Sequence, residues 1–173
     1  VAPGYWVNEG GQSMTGALLD HILAWHPQGG EAGPGVRERV VARINELRGE
    51  EGEGFVQDFH VLPDFHGNRS PLADLNARGV ISGLGLDASF DSLARLYFAT
   101  TMGIALGTRH ILDAMNEKGY SIRHIHLTGG HVNDPLLLEL YADVTGCTVV
   151  MPEEEDGVLL GTAMVAAAAA GFF

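Results

Sequence analysis

Two adjacent glycines separate a short apolar stretch from a helix-like run in the second half of the chain. Residues 125–135 read Ile-His-Leu-Thr-Gly-Gly-His-Val-Asn-Asp-Pro, which predicts a strand, a glycine turn and a helix. Asn133 or Asp134 would cap that helix, and Pro135 suits its first turn. Paired glycines let a backbone approach a ligand closely, and the N–H groups of a helix start favour an anion. The run is neither a P-loop nor a dinucleotide fingerprint, so alone it predicts either an anion-binding turn or a plain tight turn.

A second stretch of small residues precedes the first predicted helix. Residues 8–17 read Asn-Glu-Gly-Gly-Gln-Ser-Met-Thr-Gly-Ala. The simplest interpretation is a turn and a helix cap, in which Gly16 allows close packing and Glu9 is a solvated carboxylate. The two stretches gain meaning together, because each places glycine ahead of a helix.

Other residue types that support catalysis occur without the spacing that catalysis needs. The eight histidines include His124 and His126, alternate residues of a predicted strand, but no HExxH run or cysteine cluster accompanies them. No G-x-S-x-G sequence marks a nucleophilic serine. Cys147 begins an apolar strand and is expected in the core. We therefore predict no metal site and no serine nucleophile.

Three short blocks share their order and spacing with one family of enzymes. The blocks are residues 9–13 with Gly16, residues 65–71 followed by 78–84, and residues 128–130 with Asn133, Asp134 and 160–163. The first is similar to the EAGQSxxG stretch of ribulokinases. Together the blocks resemble the FGGY carbohydrate kinases, nearest to the ribulokinase-like pentulose and pentitol kinases, from end to end of the chain.

The resemblance implies an α/β fold of the actin-like ATPase, ribonuclease-H-like type, in which two domains close over a cleft. Residues 1–173 resemble the C-terminal part of the second domain, so the N-terminal domain and the start of the second are expected elsewhere in one polypeptide. The family's catalytic aspartate and phosphate-binding hairpins match positions before Val1. We therefore expect the adenosine-side part of a kinase that uses ATP and Mg²⁺ to phosphorylate a pentulose or related polyol, and we expect the isolated chain to be inactive.

The resemblance also assigns nucleotide-binding residues. Gly129 and Gly130 match the glycine pair that approaches the α-phosphate and adenosine, and Gly16 matches a glycine that lines the nucleotide pocket. Asp20 and Asp134 stand where the family's glycerol kinases have amide side chains near the adenine. An aspartate accepts a hydrogen bond from the adenine amino group but donates none, so these two positions depart from that pattern.

On the sugar side, the resemblance assigns a single residue of this chain. Glu9 matches a glutamate that contacts the sugar in ribulokinases. Two functions of other classes remain as alternatives: a non-catalytic regulatory module that binds nucleotide or protein, and a metal-dependent hydrolase. An aspartate in the expected upstream stretch would favour catalysis over the regulatory module, and stoichiometric zinc would favour the hydrolase.

The elements that must position these residues follow from apolar spacing and from glycine and proline signals. The first helix is predicted to bury Leu18, Ile22 and Trp25 and to end near residue 26. A charged helix over residues 36–48 is interpreted as an exposed insertion, with Arg37 and its other charged residues facing solvent. A contact with a partner subunit, such as a second copy in a homodimer, is the alternative. Short strands are predicted over residues 59–62 and 79–84.

The second half is predicted to be a βαβα unit with parallel strands. A long helix over residues 92–117, capped by Asp91, comes first. Two glycines on it, Gly103 and Gly107, would each cost about 1 kcal/mol unless another backbone packs closely there. The strands, the helix between them and a buried or docked final helix cover residues 122–127, 135–144, 147–151 and 157–170.

Composition limits the classes of partner. The chain has 173 residues, a net charge of −12 and 46% hydrophobic residues, which fits one folded domain and argues against binding nucleic acid or an anionic membrane. The apolar run of residues 163–170 is shorter than the roughly 20 residues that a membrane-spanning helix needs. Cys147 is the only cysteine, which excludes an internal disulfide and suggests the cytoplasm.

Overall fold

A computed structural model describes residues 4, 6–30, 33–154 and 156–172 of the chain. These described residues form five helices and four three-residue strands, with single 3₁₀ turns over Gly52–Val56 and Gly129–Asn133. The helices are α1 (Gly16–Trp25), α2 (Pro34–Glu51), α3 (Phe90–Asn116), α4 (Pro135–Thr145) and α5 (Gly157–Ala169). The strands are β1 (His60–Leu62), β2 (Val80–Ser82), β3 (His124–His126) and β4 (Thr148–Val150).

The hydrophobic core lies between α1, α2, α3 and α4, with α3 at its centre. Each helix contributes one apolar face, as period 3.6 requires. Fully buried side chains include Leu18, Ile22, Tyr97, Ile104 and Leu137. Trp25, predicted on the buried face of α1, is instead 53% exposed, because the face that packs on α3 continues through Leu19 and Leu23.

The interpretation of the charged helix as an exposed insertion is wrong. In α2, Val40, Ile44 and Leu47 are at most 1% exposed and belong to the core. Its arginines also pair with other helices: Arg43 Nε donates to Asp91 of α3 at 2.7 Å, and Arg48 donates to Glu139 of α4 at 2.6 Å. The helix is therefore an integral layer, whose long cationic side chains bridge its rims to α3 and α4.

The cap of α3 also differs from the prediction. Ser89, not Asp91, is the N-cap, and its Oγ accepts from the backbone N–H of Ser92 at 3.2 Å. Asp91 lies in the first turn, where it pairs with Arg43. Asp91 thus links α3 to α2 and does not cap the start of α3.

Two pairs of short strands border the helices. Strands β1 and β2 are antiparallel, with Val61 opposite Ile81, and β3 and β4 are parallel, with Ile125 opposite Val149. Helix α4 forms the crossover between β3 and β4, which confirms the predicted βαβα order. Cys147, just before β4, is buried as predicted.

Both glycines of α3 lie where another segment comes close. A Cβ on Gly103 would be 2.5 Å from the backbone oxygen of Val61 in β1. A Cβ on Gly107 would be 2.6 Å from Oε1 of Gln12. The expected close approach is therefore confirmed at Gly103, where a backbone packs, while a side chain occupies the space at Gly107.

The final helix is not buried, contrary to the prediction. No described residue of α5 is buried, and its large apolar side chains include Leu159 at 67% and Val165 at 64% exposure. Helix α5 is apolar on all sides, a pattern typical of a helix that other protein covers. A Cβ on Gly157 at its start would lie 2.9 Å from Oγ1 of Thr128. Among the described residues, no helix is long and apolar enough to cross a membrane.

Candidate functional site

A cavity of about 660 Å³ opens between α1, α2 and the 129–133 turn. Four of the residues predicted to bind nucleotide line it: Gly16, Asp20, Gly130 and Asp134. They come from two segments more than a hundred residues apart in the sequence. The packing of α1 and α4 on α3 thus brings the two glycine-containing stretches to one place.

The glycines of the 129–133 turn have different roles. Gly129 has a φ of 76°, a left-handed conformation that favours glycine, and it does not line the cavity. Gly130 lies outside that region, and a Cβ built on it meets nothing within 4 Å. A Cβ on Gly16 also meets nothing within 4 Å. Gly16 and Gly130 therefore leave open space along the cavity that a side chain would fill.

Two hydrogen bonds hold this turn in place. Thr15, the residue before α1, shares a hydrogen bond of 2.9 Å with Nε2 of His131. The Oδ1 atom of Asp134 accepts from the backbone N–H of Leu137 at 3.1 Å and so caps α4, as predicted for Asn133 or Asp134. The glycine turn is thereby tied to the starts of α1 and α4.

An ion pair crosses the wall of the cavity. Arg37 of α2 donates to Asp20 of α1, and this bond raises the pKa of Arg37. The Arg37 side chain is 43% exposed, in line with its predicted solvent-facing position, but its Nε atom is buried, with no hydrogen-bond partner among the described residues. Hydropathy spacing does not predict that Arg37 lines a cavity, because it assigns a charged position on an amphipathic helix to solvent by default.

The cavity is acidic overall. Its lining carries the carboxylates of Asp20, Glu38 and Asp134 against the single guanidinium of Arg37. Burial and the charge of Asp134 raise the pKa of Tyr97, whose ring closes the inner side, so its hydroxyl stays protonated. Such a lining suits an uncharged group with hydrogen-bond donors, such as a nucleobase amino group, better than a phosphate.

Glu9 lies away from this cavity. Its carboxylate accepts from Arg69, a residue of the second sequence block that the sequence alone did not assign. Arg69 also lines a second cavity of about 410 Å³, between β1, β2 and α3. In the segment between Glu9 and Gly16, Gln12 Nε2 donates to the backbone oxygen of Ile104 at 2.8 Å and to Thr108 at 2.9 Å, both in α3. The segment from Glu9 to Gly16 therefore runs along α3 from one cavity to the other.

The part of the chain that the structure describes contains no group of three or more His, Cys, Asp or Glu side chains arranged to hold a metal ion. His124 and His126 are alternate residues of β3, and both are exposed. Their arrangement is that of surface strand residues.

Comparison with known proteins gives consistent matches. Residues 1–170 match the family model described as "FGGY family of carbohydrate kinases, C-terminal domain". The chain is 44% identical to a human FGGY carbohydrate kinase domain-containing protein, over 100% of this chain and 33% of that protein. It is 36% identical to a D-ribulokinase of Saccharomyces cerevisiae, over 100% of this chain and 26% of that protein.

Solved structures agree in fold. The crystal structure of xylulose kinase from Rhodospirillum rubrum matches with a TM-score of 0.66 at 22% identity, over 82% of this chain and 26% of that one. This likeness confirms the predicted α/β, actin-like fold class. The chain spans about a quarter to a third of the length of these relatives.

Proposed function

Because the chain belongs to the FGGY family of carbohydrate kinases, we propose that it forms the adenosine-side wall of an ATP-dependent kinase acting on a pentulose or related polyol. The observation that carries the proposal is the cavity that gathers Gly16, Asp20, Gly130 and Asp134. The likeness to a D-ribulokinase supports a ketopentose among the possible acceptors. ATP would supply the γ-phosphoryl group, and a sugar hydroxyl would receive it.

Four of the assigned residues have a physical task in this function. Gly16 and Gly130 leave room for the adenosine, and the turn that begins with Gly129 presents backbone N–H groups to the phosphates. Asp20, oriented by Arg37, accepts from the base amino group. Phosphoryl transfer depends on positioning and charge neutralisation, so Mg²⁺ would arrive with the phosphates, and we assign it no residue of this chain.

We propose that residues 1–173 are the C-terminal portion of the kinase and work with the rest of its polypeptide. Support comes from the relatives, of which this chain covers 33% and 26%. The catalytic base would then lie outside this chain, and the sugar would bind between Glu9 and that remaining part. We place the reaction in the cytoplasm, since the chain has one cysteine and no disulfide.

The test is an assay of ADP release with a panel of ketoses and pentitols, using the polypeptide in which the chain naturally occurs. The informative variant is Gly130→Ala, because the added methyl group enters the cavity without meeting protein atoms within 4 Å. Crowding by one methyl group typically costs about 1–3 kcal/mol, so the KM for ATP should rise about tenfold with little change in Tm.

Gly49→Ala is the matched control. A Cβ there also meets nothing within 4 Å, but Gly49 lies in the last turns of α2 and does not line the cavity. Its KM for ATP should be that of the wild type. Absence of turnover with every sugar would refute the kinase and favour the non-catalytic module. Turnover with an unchanged KM for ATP in Gly130→Ala would refute the nucleotide site alone.

A further inference from the structure

One asparagine braces the loop of the second sequence block. Asn68 Nδ2 donates to both carboxylate oxygens of Asp64 at 3.1 Å, and its Oδ1 accepts from the backbone N–H of Leu72 at 3.1 Å. Its own backbone N–H donates to the oxygen of Asp74 at 2.8 Å. Every polar group of this side chain is therefore used to hold the loop over residues 64–74.

Two glycines close the same loop tightly. Gly67 has a φ of 75°, and a Cβ on it would lie 3.0 Å from the backbone oxygen of Leu75. A Cβ on Gly79 would overlap the ring of Phe65. Neighbouring atoms therefore pack closely against the loop on both sides of Asn68, and Arg69 is the residue that follows it.

Arg69 reaches across to the first sequence block. It donates to Oε1 of Glu9, and its Nη1 lies 3.7 Å from the position of a Cβ on Gly11. The segment that carries Glu9 is itself fixed to α3 by the two hydrogen bonds of Gln12. A guanidinium held from one side and a carboxylate held from the other therefore meet above Gly11.

Stability does not explain this arrangement. The side chains of Arg69 and Glu9 are 56% and 71% exposed, and ion pairs in water at such exposure contribute little to folding. The pair instead biases the orientation of Glu9, because one guanidinium N–H of Arg69 engages a single carboxylate oxygen, Oε1. Among the described residues, no hydrogen bond to the second oxygen of Glu9 is found, so this oxygen can accept from the hydroxyl groups of a polyol.

We propose that Arg69 is a positioning residue, which orients the Glu9 carboxylate toward the hydroxyl groups of the sugar, and that the braced loop serves to present it. This inference rests on the proposed function, in which Glu9 contacts the sugar. Immobilising a flexible side chain on binding weakens affinity about three- to tenfold. Arg69 removes that loss by ordering Glu9 before the sugar arrives.

The experiment measures steady-state kinetics with D-ribulose and other ketoses in the polypeptide in which the chain naturally occurs. Arg69→Gln should raise the KM for the sugar about three- to tenfold, while kcat and the KM for ATP stay within about twofold. Arg69→Lys should restore part of the sugar affinity, since it keeps the charge and loses the planar fork. In a Glu9→Gln background, Arg69→Gln should have no further effect.

Arg78→Gln is the matched control, because Arg78 is an arginine near the same loop that donates to the backbone oxygens of Asn76 and Ala77. Its sugar KM should be that of the wild type. An equal effect of Arg69→Gln with and without Glu9, or a joint loss of Tm and ATP affinity, would overturn the positioning role. Turnover with an unchanged sugar KM in Arg69→Gln would overturn it while leaving the kinase intact, whereas a wild type without turnover on any sugar would overturn both.

Discussion

Gly107 of α3 provides a quantitative test of how the Glu9 segment is attached. A Cβ at this position would be 2.6 Å from Oε1 of Gln12, whose amide donates to Ile104 and Thr108. In Gly107→Ala the amide must therefore swing away and lose both hydrogen bonds. Gly103→Ala is the comparison, because there the obstacle is the backbone oxygen of Val61.

The magnitudes follow from these contacts. Alanine in place of glycine stabilises a helix interior by about 1 kcal/mol. At Gly107 the loss of two hydrogen bonds costs about 2 kcal/mol, so the net change is a destabilisation of about 1 kcal/mol. In a Gln12→Ala background those bonds are already gone, and Gly107→Ala should stabilise by about 1 kcal/mol. The expected coupling energy between the two positions is therefore about 2 kcal/mol.

Gly103→Ala should behave differently, because the strand backbone cannot rotate away as an amide can. Overpacking typically costs about 1–3 kcal/mol, which offsets or exceeds the gain in helix propensity. Its effect should be the same with and without Gln12. Urea unfolding followed by circular dichroism measures all five variants, and 1 kcal/mol corresponds to a change in Tm of about 2–4 °C at this size. A destabilising Gly107→Ala in the Gln12→Ala background, or a stabilising Gly103→Ala, would refute the reasoning.

Two further predictions concern charge. Burial lowers the pKa of His26 below 6.5, opposed by the charge of Asp87, and its Nδ1 accepts from the backbone of Gln28 at 3.2 Å. The unfolded chain binds a proton at His26 more readily than the folded chain does, so this stabilisation is present above pH 6.5 and is lost as the pH falls toward the folded pKa. The urea midpoints measured at pH 7.5 and at about pH 5.5 should therefore differ less in His26→Gln than in the wild type. Equal differences in the two proteins would count against this role of His26. Arg37→Met should weaken ADP binding about tenfold by calorimetry, because the charge-assisted contact between Arg37 and Asp20 is lost. Arg39→Met is the control and should leave ADP binding unchanged. Equal affinities of the two variants would exclude a role for Arg37.

The sequence predicts the second half of the fold more closely than the first. Helix α4 starts with Pro135, and Gly146, which follows its last residue, has a left-handed conformation. Both are local signals that residue type alone predicts. The burial of α2 was missed because its charged residues outnumber its apolar ones. Long arginine side chains such as Arg43 and Arg48 extend from the rim of a buried face to reach partners on other helices, so charge alone does not indicate exposure.

The residues of the candidate site also differ in whether the sequence alone could predict them. Gly16 and Gly130 are assigned through the resemblance of short sequence blocks to a family, because a glycine next to a helix start can be matched locally. Arg37 and Arg69 could not be assigned in this way, since their partners Asp20 and Glu9 are 17 and 60 residues away in sequence. Those contacts depend on how α1 packs against α2 and on how a braced loop folds back, which no periodicity encodes.

The exposed surface of α5 has a thermodynamic consequence for every measurement on this chain. Five large apolar side chains are 47–67% exposed there: Val158, Leu159, Leu160, Met164 and Val165. Burying the exposed half of each contributes about 1 kcal/mol, or about 5 kcal/mol together, which is comparable to the whole unfolding free energy of a small domain. A molecule that covers α5 in the folded state, and does not bind the unfolded chain, therefore raises Tm by mass action. The stability measured for this chain thus depends on what covers α5 as well as on sequence.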